Sequence, residues 1–390
     1  MTVSQRVTLR LPKLFFLLPL LSFAGASGCL FPGSAFAWGE RGHDLVTRVA
    51  VRTLHSQLGH DNGLTPSLIN KEHHLSHLSN VPDIVWRNQG DEVKNQNAPT
   101  HFIDIEYLDT KPVISNLPKL PGEALKMIAA QCLSQPQDDF CKIVGDSTSG
   151  KTGPENNTNA VFDKTGTAPW RIEQLANALE EQWTLLKKLQ DGKSDTKSQQ
   201  AAFDEALKFA GILSHFVGDM AQPLHSSKNY DGWDTGQGGV HWYFESEIVN
   251  ELPLAFDQEV LDFSLTKRPF SAAMKSIKQG EKLPLTRAWA LTLDSWAQLP
   301  LLLDLDRRNL IAKSQQTKEG LKLPAKRKPA ADSAMVFHSL LVQRIATGAD
   351  FLANVWLTAW QNAGKPDLNK IVSYTYYYSP EFVPAGYLIH

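Results

Sequence analysis

The stretch Leu213-Ser-His-Phe-Val-Gly-Asp-Met-Ala-Gln-Pro-Leu-His225 lies at the end of a helix predicted over residues 201–220. In that helix His215 and Asp219 stand four residues apart, which places both on one face, one turn from each other. An imidazole nitrogen and a carboxylate oxygen can then meet at one point. Pro223 ends the helix, because proline has no backbone N–H to continue the hydrogen-bond ladder.

Further metal-type ligands follow this helix. His225 comes directly after the helix end, and His241 and Glu245 form a second pair with the same four-residue spacing behind a glycine-rich loop. Nitrogen and oxygen ligands at this density favour several transition-metal ions, zinc in particular. The alternative is a set of hydrogen-bonded core histidines or a surface pair. A lone histidine would favour that alternative, and the two matched pairs favour metal.

Residues 1–37 are expected to be a secretory signal peptide rather than part of the fold. Three basic residues precede a short apolar run, Leu14 to Ala24, and Ala35-Phe-Ala37 has the pattern of a cleavage site. The apolar run is too short to cross a bilayer. Cleavage would make Trp38 the first residue of a secreted or periplasmic protein. Lipidation at Cys29 is the competing interpretation.

The remaining chain is mildly acidic. Removal of the signal lowers Lys+Arg from 39 to 36 against 41 Asp+Glu, a net charge of about −5. Such a charge does not indicate a general polyanion binder, although bound zinc would attract phosphate locally. Cys132 and Cys141 could close a disulfide in an oxidising compartment, or remain two free thiols.

The periodicity predicts a mainly α fold, with residues 38–390 forming one compact multi-helix domain with long loops. The Lys/Pro-rich stretch at about 313–329 is interpreted as a solvated loop, with a substrate-facing patch as the alternative. Loops or irregular structure are expected over 108–122 and 145–168. Helices are predicted after His43 and over 65–79, 123–134, 170–190, 201–220, 284–303 and 334–363.

Two further candidates lie in the first third of the chain. Pro82 marks a turn or a helix start that presents Asp83, and His101 lies in a β-branched and aromatic run, Pro99 to Glu106. Three histidines on the predicted helix over 65–79 fall in no metal-binding pattern and are interpreted as solvated or packing residues: His73, His74 and His77.

Four motifs together carry a resemblance to a known family. Trp38-Gly-Glu-Arg-Gly-His43, Pro82-Asp83, His101-Phe-Ile-Asp and the opening stretch resemble the zinc-dependent, single-strand-specific nucleases of the mung-bean type. These nucleases share a superfamily with the zinc-dependent bacterial phospholipases C of the alpha-toxin type. The match covers most of the chain after residue 37 as an ordered series of motifs and is weak in the loops. The implied fold is the multi-helix domain of that superfamily.

The resemblance implies three zinc ions and a water-driven cleavage of phosphodiester bonds. Asp83 would act both as ligand and as the base for the attacking water. Arg87 would neutralise charge on the phosphate, or is an ordinary surface arginine. The implied ligands are Asp83, His101, His215 and Asp219 for one ion; the Trp38 amino group and carbonyl, His43 and Asp219 for the second; and His225, His241 and Glu245 for the third.

The last motif departs from the nucleases. They carry His-x-x-Trp-Asp after a longer insertion, whereas this chain has Gly238-Gly-Val-His241-Trp-Tyr-Phe-Glu245 after a short loop, as the phospholipases do. Glutamate ligates zinc as aspartate does, so the departure concerns the nucleobase pocket rather than the metal.

The favoured function is therefore a zinc endonuclease for single-stranded DNA or RNA, with 3′-nucleotidase activity as an extension and a monomer as the expected state. Base stacking would use aromatic side chains near the ligands. A phospholipase C, with the tail Tyr374-Thr-Tyr-Tyr-Tyr378 and Phe382 as a lipid-facing rim, is the first alternative. A non-catalytic zinc-binding surface protein is the second. The aromatic candidates for base stacking are Tyr230, Trp233, Trp242 and Tyr243.

Overall fold

The predicted helix over 201–220 is the centre of the structure. In the computed structural model it runs over Thr196–Ala221 (here α8), and Asp195 caps its start by accepting a hydrogen bond from the Ser198 amide at 2.9 Å. The half from Ala210 to Ala221 is buried on all sides, because other helices pack around it. The ligand candidates on α8 therefore lie inside the helical layer and not on its surface.

The structure describes residues 38–133, 140–142, 144, 154–273, 283–318 and 320–388, which all belong to one compact unit. The interpretation of residues 1–37 as a signal peptide falls outside them, as does part of the loop predicted over 145–168. The fold of the described residues is mainly helical, as predicted. Its α-helices of five or more residues are α1 Gly39–Leu58, α2 Thr65–Asn70, α3 Glu72–Ile84, α4 Asp91–Asn97, α5 Pro121–Leu133, α6 Pro154–Thr165, α7 Ala168–Asp191, α8, α9 Ala255–Lys267, α10 Pro269–Ala273, α11 Pro284–Trp296, α12 Leu299–Arg307 and α13 Ala330–Asn362.

Helices α3, α7, α11 and α13 surround α8, and these five helices together supply much of the core. At Gly211 the approach of α3 to α8 is so close that a methyl group would lie 2.4 Å from Cβ of Leu78. This contact fixes the end of α3, where Asp83 lies, beside the end of α8.

Several local predictions need correction. Pro82 neither begins a helix nor marks a turn, since it lies inside α3 near its end. Part of the loop predicted over 145–168 is α6, and the helix predicted over 284–303 is divided into α11 and α12. The run around His101 is two turns of 3₁₀-helix, Ala98–His101 and Ile105–Tyr107.

The Lys/Pro-rich stretch is ordered as a narrow β-ribbon rather than an irregular loop. Strand β1 (Leu310–Ala312) pairs antiparallel with β4 (Lys326–Arg327), and β2 (Gln315–Gln316) pairs antiparallel with β3 (Lys322–Leu323). We call residues 310–318 and 320–328 the basic ribbon. Most of its side chains are exposed, in agreement with a solvated segment.

Cys132 and Cys141 form a disulfide, which excludes the alternative of two free thiols. Within the described part of the chain, no helix combines the length and the apolar character needed to cross a membrane.

Candidate metal centre

Helix α1 places Trp38 and His43 against α8. The Trp38 side chain is fully buried, and its Nε1 donates to the backbone carbonyl oxygen of Gly218 at 2.6 Å. A methyl group on Gly218 would lie 2.7 Å from Nδ1 of His43, so only glycine leaves room for this imidazole. Glycine at position 218 therefore lets both residues reach the ligand face of α8.

Asp83 reaches the same place from the last turn of α3. It is buried, and its Oδ1 accepts a hydrogen bond from the Arg87 guanidinium at 2.6 Å. Arg87 lies in the 3₁₀-helix Trp86–Asn88, with its side chain 18% exposed. Arg87 is therefore an ion-paired, largely covered side chain and not an ordinary surface arginine.

The first cluster consists of five buried side chains from four elements: His43, Asp83, His101, His215 and Asp219. Asp219 lies at its middle. Its carboxylate oxygens lie 3.0 Å from Nδ1 of His101, 3.4 Å from Nε2 of His215 and 3.5 Å from Nε2 of His43. Within the cluster two overlapping sets can hold an ion, namely His43, Asp83 and His215, and His101, His215 and Asp219.

The second cluster consists of His225, His241 and Glu245, all buried. Oε2 of Glu245 lies 2.8 Å from Nε2 of His241 and 3.6 Å from Nε2 of His225. His241 lies in the short helix Val240–Trp242, which continues as a π-helix over Tyr243–Ile248. Such wide turns are common at functional sites.

Neighbouring groups orient the imidazoles. Nδ1 of His215 contacts the Ser79 carbonyl oxygen at 2.7 Å, and Nδ1 of His225 contacts the His101 carbonyl oxygen at 2.7 Å. A carbonyl only accepts, so each Nδ1 carries the proton and each neutral ring leaves its Nε2 lone pair for a ligand. The Gln222 amide also donates to Glu245 at 3.2 Å.

The two clusters contain buried polar atoms that lack a hydrogen bond to the described residues. Oδ1 of Asp219, Oε1 of Glu245 and Nδ1 of His241 are in this position. Buried acceptors without a partner are costly, and a bound cation would satisfy the carboxylates. The donor set and these unsatisfied atoms are therefore compatible with three metal ions, the number that the family resemblance implies.

The pKa shifts in the first cluster also favour a bound cation. Burial lowers the pKa of His101 and of His215 well below the usual value. Burial raises the pKa of Asp219 well above its usual value, and the carboxylates of Asp83 and Glu245 raise it further. A divalent cation would favour both the neutral imidazoles and the ionised carboxylate.

In the second cluster, burial and the pairing of His241 with Glu245 shift the pKa of each residue in opposite directions. Burial acts to lower the pKa of His241, but the Glu245 carboxylate raises it overall. Burial acts to raise the pKa of Glu245, but His241 and His225 lower it overall. His241 and Glu245 thus behave as an ion pair that a metal ion would replace.

The structure brings the side chains predicted as ligands into the two clusters and places Arg87 against Asp83. Trp38 lies beside the first cluster through its indole ring, which bonds to Gly218. Sequence reasoning missed the orienting groups Ser79, Gln222 and Asp231. Asp231 accepts a hydrogen bond from the His241 backbone amide at 3.1 Å. Gln222 stood inside the quoted helix motif, whereas no local signal marks a backbone carbonyl such as that of Ser79. His74 and His77 lie outside both clusters, where His74 stacks on Tyr376 and His77 on Tyr378, as expected for packing residues.

The aromatic candidates differ in their exposure. Tyr230 is 50% and Trp242 47% exposed, and Trp233 is half-buried. Tyr243 is buried, and its hydroxyl donates to the Lys328 carbonyl oxygen at 2.9 Å, so it cannot stack on a substrate base.

Comparison with known proteins adds no relative to this picture, since no protein-family model, curated protein or solved structure matches the chain.

Proposed function

We propose that the protein is a zinc-dependent phosphodiesterase that hydrolyses single-stranded nucleic acid, with residues 1–37 removed on export. The observation that carries the proposal is the pair of adjoining buried clusters with only nitrogen and oxygen ligands. This ligand chemistry suits zinc in sites that keep open positions. The motif resemblance supports the assignment of the reaction.

Bound zinc would lower the pKa of a water molecule and withdraw charge from the phosphate. The protein's own groups would do the rest. Asp83, which is ion-paired with Arg87, would accept a proton from the attacking water. Its carboxylate would also keep that water on the side of the first cluster. Arg87 would donate to a phosphate oxygen, a role that suits a guanidinium beside a polyanion.

The adjoining position of the clusters supports a divided role. Ligands of the first cluster would place the nucleophile, and ligands of the second would hold the leaving oxygen for an in-line displacement. Tyr230 would offer a base a stacking surface, because it is half exposed and its ring lies 5.9 Å from that of His241.

A phospholipase C is the second candidate, and the C-terminal segment favours it. Tyr374 is 93% and Tyr378 74% exposed. Two exposed tyrosines on one extended segment would suit a lipid surface. Tyr376, by contrast, stacks on His74 at 4.3 Å, and Phe382 packs against Trp86.

The deciding experiment assays the protein beginning at Trp38, loaded with zinc, on single-stranded DNA, single-stranded RNA and phosphatidylcholine vesicles. We expect nucleic acid cleavage, and Asp83→Asn should reduce it strongly. Vesicle hydrolysis with intact nucleic acid would replace the proposal by the phospholipase. Cleavage of none of these substrates, with full zinc content, would favour a non-catalytic zinc-binding protein.

A further inference from the structure

The basic ribbon is a strongly charged surface of the described chain that the proposed mechanism does not use. Residues 310–328 contain one acidic residue, Glu319, in a protein that is acidic overall. The described lysine ion pairs lie elsewhere in the chain. The ribbon therefore presents a concentrated positive charge, carried by five exposed lysines: Lys313, Lys318, Lys322, Lys326 and Lys328.

The base of the ribbon is fixed to the loop that precedes the ligand His241. The Ser314 amide donates to the Gly236 carbonyl oxygen at 2.9 Å, and the Ala325 amide donates to that of Gly238 at 2.9 Å. A freely solvated loop would not make these backbone contacts on both arms. The ribbon thus holds a defined position beside the second cluster.

Arg327 anchors the ribbon from within. Its Nε pairs with Asp306 at 2.7 Å, its guanidinium lies 5.2 Å from the ring centre of Tyr243, and Gln237 donates to Asp306 at 2.8 Å. Both members of the ion pair are nearly buried, so this charge is neutralised inside the protein. The lysines remain as the charge available to a partner.

A continuous path leads from the lysines to the second cluster. Nζ of Lys322 lies 5.0 Å from the ring centre of Trp233, and Trp233 donates to Asp231 at 2.8 Å. Asp231 also accepts the amide of His241, whose ring neighbours that of Tyr230. The path thus runs from a lysine over the Trp233 ring and the Asp231 carboxylate to His241 and Tyr230. A lysine beside aromatic rings is a combination that holds a single-stranded polyanion.

We propose that the basic ribbon binds the phosphate backbone of a single-stranded polynucleotide as it leaves the second cluster. The inference rests on the proposed function and deepens it, because it makes the protein selective for long strands. Each of the two antiparallel halves of the ribbon is about seven residues long and spans roughly 20 Å, so the ribbon would contact several successive phosphates. We expect a dinucleotide to occupy the metal centre with little contact to the ribbon lysines.

The test replaces four lysines at once: Lys313→Gln, Lys318→Gln, Lys322→Gln and Lys326→Gln. Glutamine keeps a similar side-chain length and leaves Arg327 in place. The matched control makes the same charge change at exposed lysines elsewhere: Lys94→Gln, Lys188→Gln, Lys197→Gln and Lys267→Gln. Zinc-loaded proteins beginning at Trp38 are assayed on a 30-mer of thymidylate and on a thymidine dinucleotide over a range of salt concentrations.

For the ribbon variant we expect kcat/KM on the 30-mer to fall by about tenfold or more at low salt. On the dinucleotide it should stay within about twofold, since the metal centre is untouched. The salt slope of 30-mer binding should shrink by about 0.7 for each phosphate that the variant no longer neutralises. The control should retain wild-type values. An equal reduction on both substrates, or a ribbon variant that matches the control, would overturn the inference.

Binding measurements separate this inference from the proposed function. Anisotropy of a labelled 30-mer with zinc-loaded protein reports the ribbon even where no cleavage occurs. Ribbon-dependent binding without cleavage keeps the inference and rejects the nuclease. Binding to phosphatidylserine vesicles that depends on the four lysines, with unchanged 30-mer binding, would reject the inference and show a lipid-facing ribbon.

Discussion

Nδ1 of His225 donates to the backbone carbonyl oxygen of His101 across 2.7 Å, and Ile103 returns a hydrogen bond from its amide to the His225 carbonyl oxygen at 2.9 Å. These two bonds join a residue of the second cluster to the segment that carries a residue of the first. The two clusters are therefore built on a shared backbone and respond together to changes in it.

The metal content should depend on which cluster is changed. Asp219 faces three histidines of the first cluster, so Asp219→Ala should release two of three ions, whereas His241→Ala should release one. Elemental analysis after dialysis measures the ratio of metal to protein. His60→Ala, at an exposed histidine that packs on His55, serves as the control. Three ions retained by Asp219→Ala would contradict the arrangement.

A methyl group at Gly218 should displace His43. Gly218→Ala places Cβ 2.7 Å from Nδ1 and 3.0 Å from Cε1 of that ring. We expect the loss of about one ion and of most activity. The intrinsic stability of the helix should rise by up to about 1 kcal/mol, because alanine favours a helix more than glycine does. Gly122→Ala adds the same group in α5 with no atom within 4 Å, and should change neither metal content nor activity. A fully loaded Gly218→Ala protein would show that His43 binds no ion.

The precursor form should lack one ion. If the amino group of Trp38 is a ligand, a single residue added before it should lower the zinc content by about one ion and reduce activity. The same protein cleaved to begin at Trp38 should recover both. Equal zinc content before and after cleavage would remove Trp38 from the ligands.

Acid should weaken the docking of the C-terminal segment through His74. Burial lowers the pKa of His74 from 6.5 to about 4, and Nε2 accepts the Tyr377 amide at 2.9 Å. The folded state binds fewer protons than the unfolded state between these values, so stability is present above pH 6.5 and declines towards pH 4. The decline attributable to His74 is at most about 3 kcal/mol.

The measurement is urea unfolding of metal-free protein at several pH values, wild type against His74→Gln. The difference in unfolding free energy should shift in favour of the variant as pH falls from 6.5 to 4. A difference independent of pH would mean that His74 is protonated in the folded state as readily as in the unfolded chain.

Reduction of the Cys132–Cys141 disulfide should lower stability and leave the metal centre intact. The two cysteines are nine positions apart. A disulfide that closes a loop of this length stabilises the folded state by about 2.5–3 kcal/mol, because it lowers the entropy of the unfolded chain. Cys132→Ala with Cys141→Ala should show that decrease in denaturant unfolding, with unchanged zinc content. An unchanged unfolding midpoint would mean that native-state strain cancels the gain.

Sequence reasoning predicted what depends on local periodicity. The helix that carries His215 and Asp219 and the pairing of His241 with Glu245 follow from a four-residue spacing, and the structure confirms that each pair meets. Pro82 was misinterpreted because the cost of a proline in a helix is outweighed here by tertiary packing around the buried Val81.

Contacts between distant segments lay beyond sequence reasoning. The order in the basic ribbon depends on the pairing of Arg327 with Asp306 and on the Gly236–Gly238 backbone, and a Lys/Pro-rich composition indicates none of these. Likewise, which ligands of the first cluster share an ion depends on the distances between their side chains. The spacing of residues along the chain does not determine those distances. For the same reason the sequence leaves two alternatives open for Cys132 and Cys141, a disulfide or two free thiols.

The hydrogen bond from Trp38 to Gly218 spans 180 positions of the chain and has a kinetic consequence. The first cluster cannot exist until α1, α3 and α8 have docked, and contacts of such long range form late and slowly. An unfolded or nascent chain therefore offers zinc only scattered, weak ligands. Uptake of the proposed zinc ions would then follow tertiary assembly, so the free energy of metal binding would add to global stability, and a chelator should hasten unfolding of the whole helical unit.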